Sequence, residues 1–219
     1  DYMTTPAQRY YGRWASLYDR VADLPGLRSW RARTAALLDV SPGDTVVEMG
    51  CGTGANVPHL RERVGPSGRV VGLDLTREML AQANAHGERV GPTVDYVQAD
   101  ATRPPLTDAD AVLATFVVGM FERPGAAVDR WCDLVGSGGR VALLNFQRSD
   151  RALAALLNLA FEGFVRLSSP GGRLRRSSQA AAFERRVCEA RRALANRTET
   201  RRFETFAGGY LGVLAGTVE

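Results

Sequence analysis

The 219-residue chain has no lysine: all 28 of its basic positions are arginine, a bias that by itself carries no functional information. Cysteine and histidine are also scarce, at three and two residues. Cys51, Cys132 and Cys188 lie far apart without CxxC spacing, and His59 and His86 are not beside them. Neither a disulfide framework nor a structural zinc site is therefore expected, and no metal is assigned. No apolar run approaches the roughly 18 residues needed to span a bilayer, and the sequence opens on no basic-then-apolar leader. A cytoplasmic protein is the expectation.

What is present is an ordinary globular composition, 45% apolar over 219 residues, enough for one well-cored α/β domain. The chain is organised around residues 46–56, Val-Val-Glu-Met-Gly-Cys-Gly-Thr-Gly-Ala-Asn. A β-branched run stops at Glu48 and breaks into Gly50, Gly52 and Gly54, which let backbone approach a ligand closely, before apolar residues suited to a helix. This strand, loop and helix form a cradle for a nucleotide-like ligand. Gly50-x-Gly52-x-x-Ala55 also satisfies the dinucleotide fingerprint, in which a pyrophosphate sits on the helix N-terminus. Glu48 argues against that ligand, because a carboxylate repels a pyrophosphate and attracts an ammonium group.

Around the cradle, strands and helices alternate. Residues 6–21 read as a helix whose aromatics at 11, 14 and 18 share one face, and 30–38 as a second helix with Leu37 and Leu38 turned inward. Beyond the cradle come a helix at 57–64, a strand at 69–74 ending in Asp74, and a helix at 77–86. Strands are expected at 93–98, before Asp100-Ala101, and at 109–118, then a helix at 124–135 and a strand at 140–145. Asp74, 20 residues after Gly54, suits a carboxylate that accepts the two ribose hydroxyls of an adenosine, as well as a helix N-cap. Asp100, also at a strand's carboxyl end, is placed to accept an adenine amino group. After a break at 170–172 an arginine-studded helix is expected at 179–195. The last stretch, 199–217, reads as two strands around Gly208-Gly209-Tyr210. The expected fold is α/β, a doubly wound, Rossmann-like seven-stranded sheet with a carboxyl-terminal antiparallel strand and helices on both faces.

Charge is distributed unevenly. Residues 151–202 hold 12 arginines against four glutamates, whereas residues 1–150 are slightly acidic. A surplus of this kind attracts phosphate-bearing partners, although a solvated helix face is the commoner cause.

Together the Glu48-x-Gly50-x-Gly52-x-Gly54 loop, Asp74, Asp100-Ala101 and the terminal strand pair resemble the class I S-adenosylmethionine-dependent methyltransferases. The segment Tyr11-x-Arg13-Trp14-Ala15-x-x-Tyr18-Asp19 is similar to the N-terminal signature of phosphatidylethanolamine N-methyltransferases and of ubiquinone/menaquinone C-methyltransferases. The resemblance implies a single methyltransferase domain, with residues 1–40 as a helical lid and 146–198 as a helical substrate region. It implies S-adenosyl-L-methionine as cofactor and S-adenosyl-L-homocysteine as product. Tyr18 and Tyr11 would lie over the cofactor, Glu48, Gly50, Cys51, Gly52 and Gly54 around its methionine end, and Asp74 beside its ribose, with Leu75 and Met79 among the other cofactor contacts. Asp100 and Ala101 would flank the adenine, Thr115 and Phe116 would face the amino group and sulfonium, and Asn145 would approach the acceptor. No catalytic base stands out. The implied acceptor is a small amphiphile, a phospholipid head group or quinone precursor, with Arg166, Arg173, Arg175 and Arg176 giving peripheral contact with an anionic membrane. RNA or protein acceptors are the alternative, as is a non-catalytic nucleotide-fold binder; nucleic acid is disfavoured because few aromatics interleave the arginines. Oligomeric state is not legible.

Overall fold

The computed structural model describes residues 25–87, 94–147 and 176–219. Within them helix α1 (Pro25–Leu37) leads into strand β1 (Thr45–Met49), followed by α2 (Val57–Val64), β2 (Arg69–Asp74), α3 (Arg77–Gly87) and β3 (Val94–Gln98). Then come β4 (Ala111–Thr115), α4 (Pro124–Val135), β5 (Arg140–Phe146), α5 (Arg176–Asn196), β6 (Thr198–Phe206) and β7 (Leu211–Val218). The strands make one seven-stranded sheet in the order β3-β2-β1-β4-β5-β7-β6. The first five run parallel, whereas β7 is antiparallel to both β5 and β6. The doubly wound sheet with an antiparallel carboxyl-terminal strand is thus the observed fold.

The central strands are apolar because both their faces are covered: all five residues of β4 are buried, and so are the last four of β1. On one face Val47, Leu73 and Val112 pack with Trp131 of α4 and Val187 and Leu194 of α5. On the other, Val46, Val70 and Leu113 pack with Leu38 after α1 and with Val57 and Leu60 of α2. Trp131 is fully enclosed, and its indole N–H donates to the Ala101 carbonyl at 2.7 Å, tying α4 to the loop after β3.

Three boundaries differ from the sequence reading by three residues or more, the first being the start of α1, at Pro25 and not at 30. Strand β4 ends at Thr115 and not at 118, because Phe116 takes a φ of 60° and turns the chain off the sheet into a short 3-10 turn over Val118–Met120. Helix α5 runs Arg176–Asn196, one turn longer than expected, and buries Val187, Ala190 and Leu194. The expected helix at 6–21 with Tyr11, Trp14 and Tyr18 lies outside the described residues, as do residues 1–24 of the expected lid, whose remainder holds α1. The apolar helical stripe after residue 150 and Arg166, Arg173 and Arg175 also lie outside the described residues.

Candidate active site

Parallel strands β1, β2 and β4 all end at the same edge, so the loops that follow them converge there. Between these loops is a cavity of about 320 Å³ lined by Gly50, Cys51, Gly52, Asp74, Asp100 and Phe116, among others. The glycine turn forms its floor, held to β2 by the Cys51 N–H, which donates to the Leu73 carbonyl at 2.8 Å. Gly50 and Gly52 both have positive φ, 69° and 55°. A Cβ on Gly50 would come within 2.7 Å of Val117, whereas one on Gly52 meets no atom within 4 Å and would stand in the cavity. Glycine is thus required at position 50 for packing and at 52 to leave ligand space.

Asp74 crosses the turn. One carboxylate oxygen accepts the Gly52 N–H at 2.9 Å and the other the Thr76 N–H at 2.8 Å, and the residue lines the cavity. Burial raises its pKa, against hydrogen bonds from the backbone N–H groups of Thr76, Gly52 and Leu75 and from the Thr76 side chain, which favour the ionised form. The bond to the Thr76 N–H falls one residue before α3, whose first helical bond runs from the Leu80 N–H to the Thr76 carbonyl, so Asp74 braces the turn into the helix and does not cap it as the sequence reading allowed. Asp100 is exposed at the rim, where one oxygen accepts from the Thr102 N–H and hydroxyl, both at 2.8 Å. Ala101, Leu75, Met79, Thr115 and Phe116 also line the cavity.

Three expected site residues do not line it. Glu48 lies under the floor, fully buried, where Oε1 accepts from the Asn56 amide at 2.5 Å and Oε2 has no hydrogen-bond partner. Loss of water pushes its pKa up to about 7, against the Asn56 hydrogen bond and the Arg31 charge, which favour the ionised form. The alternation of β1 sends its side chain to the α1/α2 face and away from the opening. Gly54 faces the body of the domain: a Cβ there would sit 3.0 Å from the Tyr96 hydroxyl and 3.3 Å from Ala83. Asn145 is likewise fully buried and absent from the cavity wall; it shares the face of β5 with Val141 and Leu143. Tyr11 and Tyr18 lie outside the described residues.

The structure adds residues that the sequence reading passed over. Arg31 of α1 lines the cavity, and its guanidinium lies 5.7 Å from the centre of the Phe116 ring, which stacks on Phe146 at 4.5 Å. Val117, Met120 and Phe121 supply an apolar wall. Nothing local marks these residues, since the bend at Phe116 delivers three of them and α1 comes from the far side of the glycine turn.

Residues 47–143 match the family described as "Methyltransferase domain". The chain carries a class I S-adenosylmethionine-dependent methyltransferase domain. Among relatives, the demethylmenaquinone methyltransferase of Lactobacillus johnsonii is 38% identical over 77 residues, 34% of this chain and 32% of that protein. The 2-phytyl-1,4-naphtoquinone methyltransferase of Trichormus variabilis is 30% identical over 89 residues, 39% of each chain. The matches thus span about a third of the length of these curated relatives. The methyltransferase solved with the Trm112 activator of Haloferax volcanii superposes with a TM-score of 0.69 at 15% identity, covering 95% of this chain and 97% of its own. N-methyltransferase NodS of Bradyrhizobium japonicum, solved with S-adenosyl-L-homocysteine, gives 0.65 at 14% identity, over 98% and 99%. At such identities the structural likeness establishes the methyltransferase fold, with the cavity at the edge where the fold collects its ligands.

Proposed function

We propose that this protein transfers the methyl group of S-adenosylmethionine to a small lipophilic acceptor carrying an acidic hydroxyl, of which a quinol is the type. The observation that carries the reading is the cavity itself: an open glycine floor and two carboxylates on one side, an apolar wall on the other, at the carboxyl edge of the sheet. The names of the relatives, which act on naphthoquinone compounds, support this acceptor class.

The residues present fit the cofactor. A Cβ on Gly52 would meet no atom within 4 Å, so the turn leaves open space there, and the Asp74 carboxylate that lines the cavity would accept ribose hydroxyls. Asp100 and Ala101 would flank the adenine, and Leu75 and Met79 would pack beside it. When bound, S-adenosylmethionine supplies a methyl group already activated by its sulfonium, so the protein's task is to hold the acceptor in line. Proximity of this kind accounts for about 7–11 kcal/mol at best. Phe116, Val117, Met120 and Phe121 would exclude water from the reacting centre. Among the described residues the wall offers no histidine, and the Cys51 thiol, pushed well up by burial, stays protonated. With the weakly basic carboxylates of Asp74 and Asp100 as proton acceptors in this lining, an acceptor with an acidic hydroxyl is favoured, a quinol over an alcohol.

Among the described residues no helix is long and apolar enough to cross a membrane. Calorimetric titration with S-adenosylhomocysteine and with NAD separates cofactor classes, with binding of the first alone expected. Methyl transfer from labelled S-adenosylmethionine to a short-chain demethylmenaquinol, compared with phosphatidylethanolamine vesicles and with bulk RNA, then tests the acceptor. Label in the lipid amine or the RNA would replace the quinol.

A further inference from the structure

Asn56 immediately precedes α2 and is almost wholly buried. Its amide is used in three directions. Oδ1 accepts from Nη1 of Arg31 at 3.0 Å, while Nδ2 donates to Oε1 of Glu48 at 2.5 Å and to Oγ1 of Thr115 at 2.9 Å. One side chain therefore joins α1, β1 and β4 directly beneath the cavity. The chemistry of the partners fixes its orientation, because a guanidinium only donates and an ionised carboxylate only accepts. Two of the three partners, Arg31 and Thr115, line the cavity, and the third, Glu48, does not.

We propose that Asn56 is a positioning residue that sets Arg31 and Thr115 in the cavity wall and transmits to them the charge of Glu48, so that ligand binding there is coupled to one buried proton. The inference rests on the methyltransferase reading for its probe, S-adenosylhomocysteine. The ionised carboxylate holds the amide N–H and, through the amide dipole, complements the Arg31 cation; the protonated acid does neither as well. Around Glu48 the other titratable groups are Asp74 at the end of β2, Cys51 in the turn and Tyr96 of β3. Asp74 disfavours the ionised form, and burial keeps the Cys51 thiol and the Tyr96 phenol protonated and neutral, so neither adds a further negative charge. The Arg31 cation favours the ionised form of Glu48, and Asn56 stands between the two. The same burial puts the Glu48 transition at about 7, where a ligand presenting an ammonium above the turn selects the ionised carboxylate.

The test compares S-adenosylhomocysteine affinity from pH 5.5 to 8 for the wild type, Asn56→Asp, Glu48→Gln and the double exchange of both. Wild-type affinity should rise with pH by roughly tenfold over the range and level off above neutrality. Asn56→Asp brings two carboxylates together and should weaken binding at least tenfold at pH 8. In the double exchange the new Gln donates to the new Asp, which still accepts from Arg31 and now from the Thr115 hydroxyl. Affinity should return to within about threefold of wild type and become flat with pH. Denaturant unfolding of each protein without ligand identifies any variant that fails to fold. A folded double exchange that binds no better than Asn56→Asp, or a wild-type affinity independent of pH, overturns the coupling. Absence of any binding by the wild type overturns the cofactor reading and the proposal with it, so the two failures are distinct.

Discussion

Glu48→Gln should change how stability depends on pH more than it changes stability at any one pH. The carboxyl group titrates at 4.5 in the unfolded chain and at about 7 in the folded protein, where it is fully buried with one oxygen lacking a partner. Between those values the folded state binds the proton and the unfolded state has released it, so unfolding free energy falls as pH rises, and no further loss occurs above neutrality. At about 1.4 kcal/mol per unit, this shift destabilises the wild type at pH 8 by about 3 kcal/mol relative to pH 4. The amide does not titrate, so the variant lacks this slope. Its lost or gained hydrogen bonds contribute a constant offset. Asp74 also titrates above its usual value, and partial burial holds His59 below its own, but both are common to the two proteins and cancel in the difference. Urea unfolding of both at half-unit intervals from pH 4 to 8 should give a variant-minus-wild-type difference that grows by about 3 kcal/mol and then levels. Two parallel curves would show that Glu48 is ionised throughout and that the Asn56 and Arg31 partners fully offset its burial.

Three further outcomes follow from the site and the core. Asp74→Ala should weaken S-adenosylhomocysteine binding by at least tenfold, since each charge-assisted bond to a ribose hydroxyl is worth about 1.5–3 kcal/mol; an unchanged titration in a folded variant would release this strand end from the ribose. Trp131→Phe leaves the Ala101 carbonyl without its indole donor and opens a small void in a fully enclosed position, so unfolding free energy should fall by about 2–4 kcal/mol in denaturant melts. If the acceptor is met at an anionic membrane, replacing Arg173, Arg175 and Arg176 by Gln should cut vesicle partition by roughly a hundredfold at low salt, at about 1 kcal/mol per arginine, without altering cofactor affinity. A wild type that ignores such vesicles at low ionic strength removes membrane contact from the mechanism.

The alternation of strands and helices, the three glycines and the acids at strand ends were all legible in the chain, because each is a local property: periodicity, backbone freedom and punctuation act within a few residues. That is why β2, α2 and α4 fall where the sequence puts them, and why Gly50, Gly52, Asp74 and Asp100 meet at one cavity. Which side of β1 faces the opening was not local. Glu48 sits beside the glycines in sequence, yet the pleat sends it under the floor to Asn56, and Gly54 makes room for Tyr96 of a strand two places away. Nor could the sequence place Arg31, whose route to the cavity depends on how α1 packs against the sheet, or foresee that Phe116 would leave β4 with a left-handed φ. Sequence determines what each segment prefers within its own reach; the meeting of Arg31, Asn56, Glu48 and Thr115 arises only when four segments pack together and their buried polar groups must satisfy one another.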